Sequence, residues 1–451
     1  MEISAVIVTW NKQNDVINLL KNLQSINIPP AYSFSITVVD NNSNDNTVSI
    51  IKQQFPNINL IEKSENTGGA GGFNAGMRWV LENKIDSKYI WLLDNDILVD
   101  KNALVELVHV LDATPEAGLC GSRIMERENP TKLIEIGAFI NYKTGTTIQN
   151  TPLENIYSTK KTFDIDYAAA CSLLARTDIV KTIGLWHEEL FIYWDDMEWG
   201  ARFKKFGYRV LGSSQSIVYH PSWGTRNLDN SAIWRYYYRS RNSLWFFSNY
   251  SFGIKRYLLL SKIIKNTCIT SILLSVRGLN ILSDSLLNGI DDFFNFQYGK
   301  KIFNTQQYVP NTRINKLYIF LNINENQYID NVLKIIEKLS PNNCITISDN
   351  KYIEKYDNIT LHVSNNVIKN SSKFYIILSN IFKRKTILTS TLTPIYLTFP
   401  YNKIIRTNYE TGELYNEQKP NYTAIFLIVI KYFRYIIKLL HYNEKASAIN
   451  K

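Results

Sequence analysis

Cysteine is scarce in this chain of 451 residues: there are four, at positions 120, 171, 268 and 344, and no two form a C-x-x-C pair. That excludes a zinc ribbon and a disulfide framework, and a reducing cytoplasm is the compartment that fits. The N-terminus, MEISAVIVTW, lacks the basic region of a secretory signal, so its short apolar run reads as a buried strand. The apolar run Ala424–Ile430 is broken off by Lys431, Arg434 and Lys438 and is too short to span a bilayer. With 19 Gly, 12 Pro, 45% hydrophobic and 20% charged residues, collagen-like, disordered and polytopic membrane classes are excluded as well. What the second half lacks is acid. Residues 1–230 carry 21 Lys and Arg against 27 Asp and Glu, whereas residues 231–451 carry 29 against 13. A positive balance confined to one half points to an anionic partner for it, a membrane surface or a nucleic acid.

The length predicts two or three domains at about 150 residues each. Short β-rich runs at Ile3–Thr9, Ile36–Val39, Ile58–Ile61 and Tyr89–Leu93 alternate with helical patterns at Val16–Leu23 and near Ala75–Glu82. Repeated βα units give an α/β fold with a mainly parallel central sheet, whose ligands sit at the carboxyl ends of the strands. After Asn230 the sequence turns aromatic, basic and helical, and from Asn311 a second strand–helix alternation begins (Leu317–Leu321, Val332–Leu339, Cys344–Ile347, Phe374–Ile377). The expected units are a first domain over 1–230, a helical, basic, membrane-associated region over 231–305, a smaller α/β accessory domain over 306–420, and a basic amphipathic helix over 421–451.

Four segments carry chemistry. Asp40 closes a strand and precedes a run of turn formers; it can take hydrogen bonds from a ribose or base, or simply cap an Asx turn. Asn66-Thr-Gly-Gly-Ala-Gly-Gly-Phe73 places glycines between a strand and a helix, where bare backbone can approach a phosphate or where a loop needs freedom. Its spacing fits neither G-x-G-x-x-G nor a P-loop. Asp94-Asn95-Asp96 puts two carboxylates at a strand end, suited to Mg²⁺ or Mn²⁺ with a diphosphate, although a surface turn has the same look. Finally, Trp194-Asp195-Asp196-Met-Glu198-Trp199 joins paired acids to rings that could stack on sugar faces, with His220 following. The bland alternative is an acidic helix N-terminus favoured by the dipole.

Taken in order, Val8-Thr9-Trp10-Asn11-Lys12, Asp40 to Asp45, the Gly68–Phe73 segment, Asp94-Asn95-Asp96, Trp194-Asp195-Asp196 and His220 resemble the inverting family 2 glycosyltransferases of the GT-A fold. The G-G-A-G-G-F, W-D-D and H-P-S-W elements look most like the galactofuranosyltransferase branch, while rhamnosyltransferases share the spacing from acid pair to His. Trp10 stands where Tyr or Phe is more usual. The resemblance implies a GT-A nucleotide-sugar-binding domain and a donor site formed by Thr9, Asp40, Gly68, Gly69, Gly71, Gly72, Asp94 and Asn95. It implies Mn²⁺ or Mg²⁺ on Asp94, Asp96 and His220, with Asp196 as the base that deprotonates the acceptor. Asp195, Trp194 and Trp199 would shape the acceptor site. The implied donor is a nucleotide sugar, foremost UDP-galactofuranose with dTDP-rhamnose as the alternative, and the acceptor a lipid-linked saccharide of a cell-surface polysaccharide. A non-catalytic nucleotide-sugar-binding subunit is the rival from another class.

In the basic half, Trp234-Arg-Tyr-Tyr-Tyr-Arg-Ser-Arg-Asn242 suits a core and interface role better than RNA stacking, because no RNA-binding signature accompanies it; no nucleic-acid partner is expected. Lys431, Arg434, Lys438 and His441 fall on one helical face, which suits an anionic membrane surface or packing on the protein. The expected location is the cytoplasm, peripheral on the inner face of the plasma membrane.

Overall fold

The computed structural model describes residues 1–151, 161–222, 233–276, 279–303, 422–440 and 442, together with the backbone of five strands between 317 and 417. The first part alternates strand and helix: β1 (Glu2–Thr9), α1 (Gln13–Leu23), β2 (Ser33–Asp40), α2 (Thr47–Gln54), β3 (Asn59–Glu62), α3 (Gly68–Asn83) and β4 (Ser87–Asp94). There follow β5 (Leu98–Val99), α4 (Ala103–Ala113), β6 (Ala117–Glu126), β7 (Leu133–Glu135), β8 (Ala138–Asn141), β9 (Thr146–Gln149), β10 (Thr162–Asp164), β11 (Ser172–Arg176), α5 (Thr177–Ile183), α6 (Asp195–Lys205) and β12 (Arg209–His220).

The central sheet runs β10-β12-β6-β11-β4-β1-β2-β3. β3, β2, β1 and β4 are parallel, and β6 is parallel to β12. β11 lies antiparallel between β4 and β6, so the long strands on its two sides share one direction. This is the mixed α/β, mostly parallel sheet that the sequence predicts. β1 is apolar on both faces because both are covered: Ile3, Ala5 and Ile7 enter one core with α1 and α4, and Val6 enters the other with Ala70, Met77 and Val80 of α3. Register then fixes the site. Thr9 is level with Asp40 and Val8 with Asp94, so these residues share the carboxyl edge where the strand order turns from β1 outward to β2 and to β4.

One local expectation fails. The glycines of 68–76 belong to no turn; α3 begins at Gly68. Helix propensity is poor there, but close packing overrides it. A Cβ on Gly72 would lie 2.5 Å from Val8 Cγ1, one on Gly76 2.2 Å from Val6 Cγ1, and one on Gly71 2.6 Å from Thr67.

Helices α7 (Ile233–Tyr250), α8 (Gly253–Val276), α9 (Asn280–Phe294) and α10 (Tyr422–Leu440) complete the described structure around a third core. There Leu260, Ile264, Phe293, Tyr435 and Leu439 meet Trp194 and Tyr167 of the first part. The segment Gly253–Ser275 is long and apolar enough to cross a membrane by length and composition, and 44% of its apolar window is buried against the protein. A second sheet is built from β13 (Leu317–Asn322), β14 (Ile359–Ser364), β15 (Thr386–Ser390), β16 (Lys403–Asn408) and β17 (Glu413–Glu417), parallel except for β16 with β17. The expected elements at Val332–Leu339, Cys344–Ile347 and Phe374–Ile377 lie outside the described residues, as does His441.

Candidate functional site

Asp94 ends β4, and two residues later Asp96 turns toward His220 at the end of β12. One ligand atom from each of Asp94, Asp96 and His220 lies within 4.8 Å of the others, the arrangement a divalent cation needs. His220 Nδ1 is 2.7 Å from the Pro221 carbonyl oxygen. A carbonyl only accepts, so Nδ1 carries the proton and the Nε2 lone pair is left on the side of Asp96, 3.5 Å away. Burial raises the Asp94 carboxyl well above the ordinary range, and the charges of Asp96 and Asp196 raise it further. Hard oxygens that repel one another, plus an imidazole with a fixed tautomer, fit Mn²⁺ or Mg²⁺. Asn95 donates to Thr9 Oγ1 at 2.9 Å, which ties this turn to β1.

Asp40 makes the Asx turn and keeps one oxygen out of it. Oδ2 accepts the Ser43 N–H at 2.9 Å in an Asx turn, while Oδ1 is buried with no partner and so suits a ligand N–H or hydroxyl. Beside it Asn41, which sequence reasoning missed, donates to Gly68 O at 2.8 Å and accepts from the Thr67 N–H at 3.0 Å, fixing the start of α3 to the end of β2. Of the glycines expected to face a donor, Gly71 and Gly72 are buried in helix packing and leave no room for a phosphate. Gly68 has φ +75°, and a Cβ there would lie 2.1 Å from the Phe191 carbonyl oxygen. Gly69 stays half-buried at the first turn, and a Cβ there would be 3.6 Å from Asp195 Oδ2, so the start of α3 and the acid pair adjoin.

The acid pair opens α6. Asp195 is buried and its Oδ1 accepts the Asp196 N–H at 3.2 Å. Asp196 is half-buried, with Oδ1 accepting the Met197 N–H at 2.8 Å and Oδ2 the Ala170 N–H at 3.4 Å. Burial raises both carboxyls; at Asp195 the charge of Asp196 adds to it, whereas at Asp196 the backbone N–H groups work against it. The half-open member is Asp196, and its carboxyl is the less raised of the two, so it is the one that stays ionised near neutral pH. Glu198 is a different matter: it is buried in a two-bond ion pair with Arg202 and accepts the Tyr250 hydroxyl, which makes it structural.

The rings are corrected by the structure. Trp199 is 0% exposed, packs edge-on to Phe203 and donates to the Gly184 carbonyl, so no acceptor can reach it. Trp194 is also buried, its ring held by Phe246 and Phe247 at 5.1 and 5.2 Å. The half-buried pair beside the acids is instead Tyr193 stacked on Trp234, 5.7 Å apart. Phe191, Tyr193 and Trp194 have φ of 64°, 64° and 69°, conformations that cost of order 1–3 kcal/mol each and persist only where surroundings hold them.

A further carboxyl was not legible in sequence. Glu135 on β7 is 1% exposed, its Oε1 has no partner, and its side chain also bonds Gln149. Burial, aided by the charge of Asp196, pushes it up to about 8, so at neutral pH it is a protonated hydrogen-bond donor next to the acid pair.

Residues 4–181 match the family described as Glycosyl transferase family 2. Among curated proteins, the chain is 25% identical over 200 residues to galactofuranosyltransferase GlfT2 of Mycolicibacterium smegmatis (strain ATCC 700084 / mc(2)155), covering 41% of this chain and 30% of that protein. It is 22% identical over 229 residues to the N-acetylglucosaminyl-diphospho-decaprenol L-rhamnosyltransferase of Mycobacterium tuberculosis (strain CDC 1551 / Oshkosh), covering 46% of this chain and 73% of that one. The chain thus spans under a third of the length of GlfT2. Among solved structures, S. aureus TarS 1-349 is similar with a TM-score of 0.44 and 16% identity, over 66% of this chain and 81% of that one.

Proposed function

We propose that this chain, whose residues 4–181 match the family described as Glycosyl transferase family 2, moves a sugar from a nucleotide donor to a saccharide acceptor with inversion at the anomeric carbon. The observation that carries the reading is the Asp94/Asp96/His220 cluster at the carboxyl edge of the sheet with the half-buried Asp196 carboxyl near enough that its charge raises Asp94. Asp94, Asp96 and His220 would hold Mn²⁺ or Mg²⁺, whose positive charge offsets that of a departing diphosphate. Asp40 Oδ1, buried and without a partner, takes a donor from the nucleoside. Asp196 accepts the proton of the acceptor hydroxyl as its oxygen attacks opposite the leaving group; a single displacement inverts configuration. The half-buried Tyr193–Trp234 stack offers an apolar sugar face a platform.

UDP-galactofuranose is the leading donor, supported by the match to GlfT2; dTDP-rhamnose is the alternative, supported by the rhamnosyltransferase match. The acceptor is a lipid-linked saccharide in cell-envelope polysaccharide synthesis such as O-antigen, and the enzyme sits peripherally on the inner face of the plasma membrane. A binding subunit without activity is disfavoured, since mutually repelling carboxyls carry a cost that binding alone does not require. Purified protein is tested against a panel of nucleotide sugars with Mn²⁺ for nucleotide release and product linkage. Release from one UDP- or dTDP-sugar with inverted product supports the reading; a retained configuration, or no release with any donor and a range of saccharide acceptors, overturns it.

A further inference from the structure

The acid pair is delivered by the strap Trp186–Trp194, and its geometry is imposed from two sides. On the α3 side, Ala70 N–H donates to the Phe191 carbonyl at 3.1 Å, and Asn74 bonds both the N–H and the carbonyl of Trp186 at 2.9 and 2.8 Å. On the other side stand two neighbouring residues of α7. Asn242, 0% exposed, directs Nδ2 at three carbonyls, those of Leu190, Ile192 and Tyr193, at 2.8, 2.9 and 2.8 Å. Its Oδ1 accepts Arg241 Nε at 2.9 Å. Arg241, 1% exposed, donates through Nη2 to the carbonyls of Glu189 and Leu190 and through Nη1 to that of Gly299. The guanidinium also lies over the rings of Tyr237 and Tyr238, 5.3 and 4.9 Å from their centroids.

A buried cation bonded to carbonyls rather than to a carboxylate is costly, and a core apolar residue would fill the space more cheaply. What the fork does here is fix carbonyl directions along a segment whose residues 191, 193 and 194 hold positive φ. The next residues are Asp195 and Asp196. We propose that Arg241 and Asn242 are positioning residues that lock the strap and so aim the acid pair; this rests on the glycosyltransferase reading for its kinetic consequence only. The lock places one element between the two halves of the reaction. The strap touches the donor-side helix through Phe191 and leads into the acid pair four and five residues later. Its registry therefore sets the gap between donor and base, and displacement by about 1 Å is enough to slow attack about 10²-fold.

Three variants test it. Asn242→Asp keeps shape but turns a donor into an oxygen facing three carbonyls; Arg241→Lys keeps charge and loses the fork; Arg241→Ala opens a guanidinium-sized space. Each is expected to lower kcat about 10²-fold with donor KM within about threefold, at temperatures well below unfolding. Guanidinium at tens of millimolar is expected to restore part of the kcat of Arg241→Ala and none of that of Asn242→Asp. Hydrogen exchange of the amides of residues 190–196 supplies a readout independent of activity, expected to speed up in Arg241→Lys while β1 and β4 stay protected. Folded variants with wild-type kcat and unchanged exchange in the strap overturn the proposal, as does a fall in melting temperature with kcat intact. If Arg241→Ala does not fold, Arg241→Lys and Asn242→Asp decide. If wild type turns over no donor, the glycosyltransferase reading fails, and exchange alone decides the lock.

Discussion

Glu135→Gln separates a buried neutral carboxyl from an ordinary surface one. In the folded chain burial pushes Glu135 up to about 8, against the ordinary value of 4.5 it regains on unfolding. Its folded pKa is raised, so the stability it confers is fully present below pH 4.5 and is lost as pH rises through 8. Each tenfold change in proton affinity is worth about 1.4 kcal/mol, so the whole loss is roughly 5 kcal/mol, with about 3 kcal/mol a fair lower figure if the strand relaxes around the charge. Gln has nearly the same shape and no proton to lose. Urea denaturation in chelator is therefore expected to place variant and wild type within about 1 kcal/mol at pH 5, and to make the variant more stable by roughly 3–5 kcal/mol at pH 9.5. The charges of Asp94, Asp195 and Asp196 act in both proteins and largely cancel. Equal stability across this range would falsify the buried, protonated assignment of Glu135.

Gly68→Ala forces a Cβ to 2.1 Å from a backbone oxygen and is expected to cost about 2–4 kcal/mol and most of the activity, whereas Gly207→Ala, also at positive φ but with nothing within 4 Å, should cost only about 1 kcal/mol. Melting curves compare the two, and equal losses would reject the clash with the strap. Asp196→Asn is expected to lower kcat by about 10²–10⁴-fold with donor affinity nearly unchanged; wild-type turnover in that variant alongside a dead Asp195→Asn would transfer the base to Asp195. Chelation should abolish transfer and Mn²⁺ or Mg²⁺ restore it, and Asp96→Ala should raise the metal concentration needed; full activity in excess chelator contradicts the Asp94/Asp96/His220 assignment. On anionic vesicles, Phe433→Gln with Ile437→Gln is expected to reduce co-sedimentation more than Lys431→Gln with Lys438→Gln, and the reverse order would return the contact to the basic face.

The carboxyl edge of the sheet was legible because two local rules agreed there. Continuous apolar runs mark strands buried on both faces, and the acids at 40, 94 and 96 stand where those runs stop, so register alone brings them together. The glycine segment misled because propensity is a local quantity, while α3 is helical for a non-local reason, the fit of bare Cα atoms against Val6 and Val8. Trp199 misled for a related reason. Four residues after Asp195 it shares that residue's buried side of α6, and nothing in the local spacing says whether that side meets solvent or core. Glu135 gave no signal, since one Glu in Leu133-Ile-Glu135 reads as an edge residue; only the pairing with β6 and the cover over it bury the carboxyl. Arg241 and Asn242 were visible as composition, but their carbonyl partners lie about fifty residues away in sequence.

The last helix shows how a correct pattern can point the wrong way. Lys431, Arg434 and Lys438 do share one side of α10, yet Lys431 pairs with Asp291 at 3.1 Å and Lys438 lies over the Phe294 ring at 5.7 Å. Those two lysines thus interact with α9, while Phe433, Ile437 and Leu440 are 61%, 58% and 67% exposed. On neighbouring α8, Ile254, Leu258, Ile269 and Leu273 are exposed as well, with Lys262 and Lys265 between them. A contact made by charge alone would be released by salt, because exposed charges are screened within about 8 Å at physiological ionic strength. Apolar side chains lowered into an interface bring about 25 cal/mol per Å² whatever the salt. For the peripheral placement proposed above, the seven basic and no acidic residues of α8 and α10 would steer approach to an anionic surface, and the exposed apolar side chains of the two helices would set how firmly the chain stays. Retention on vesicles in high salt follows from this division of labour and would not follow from the basic face.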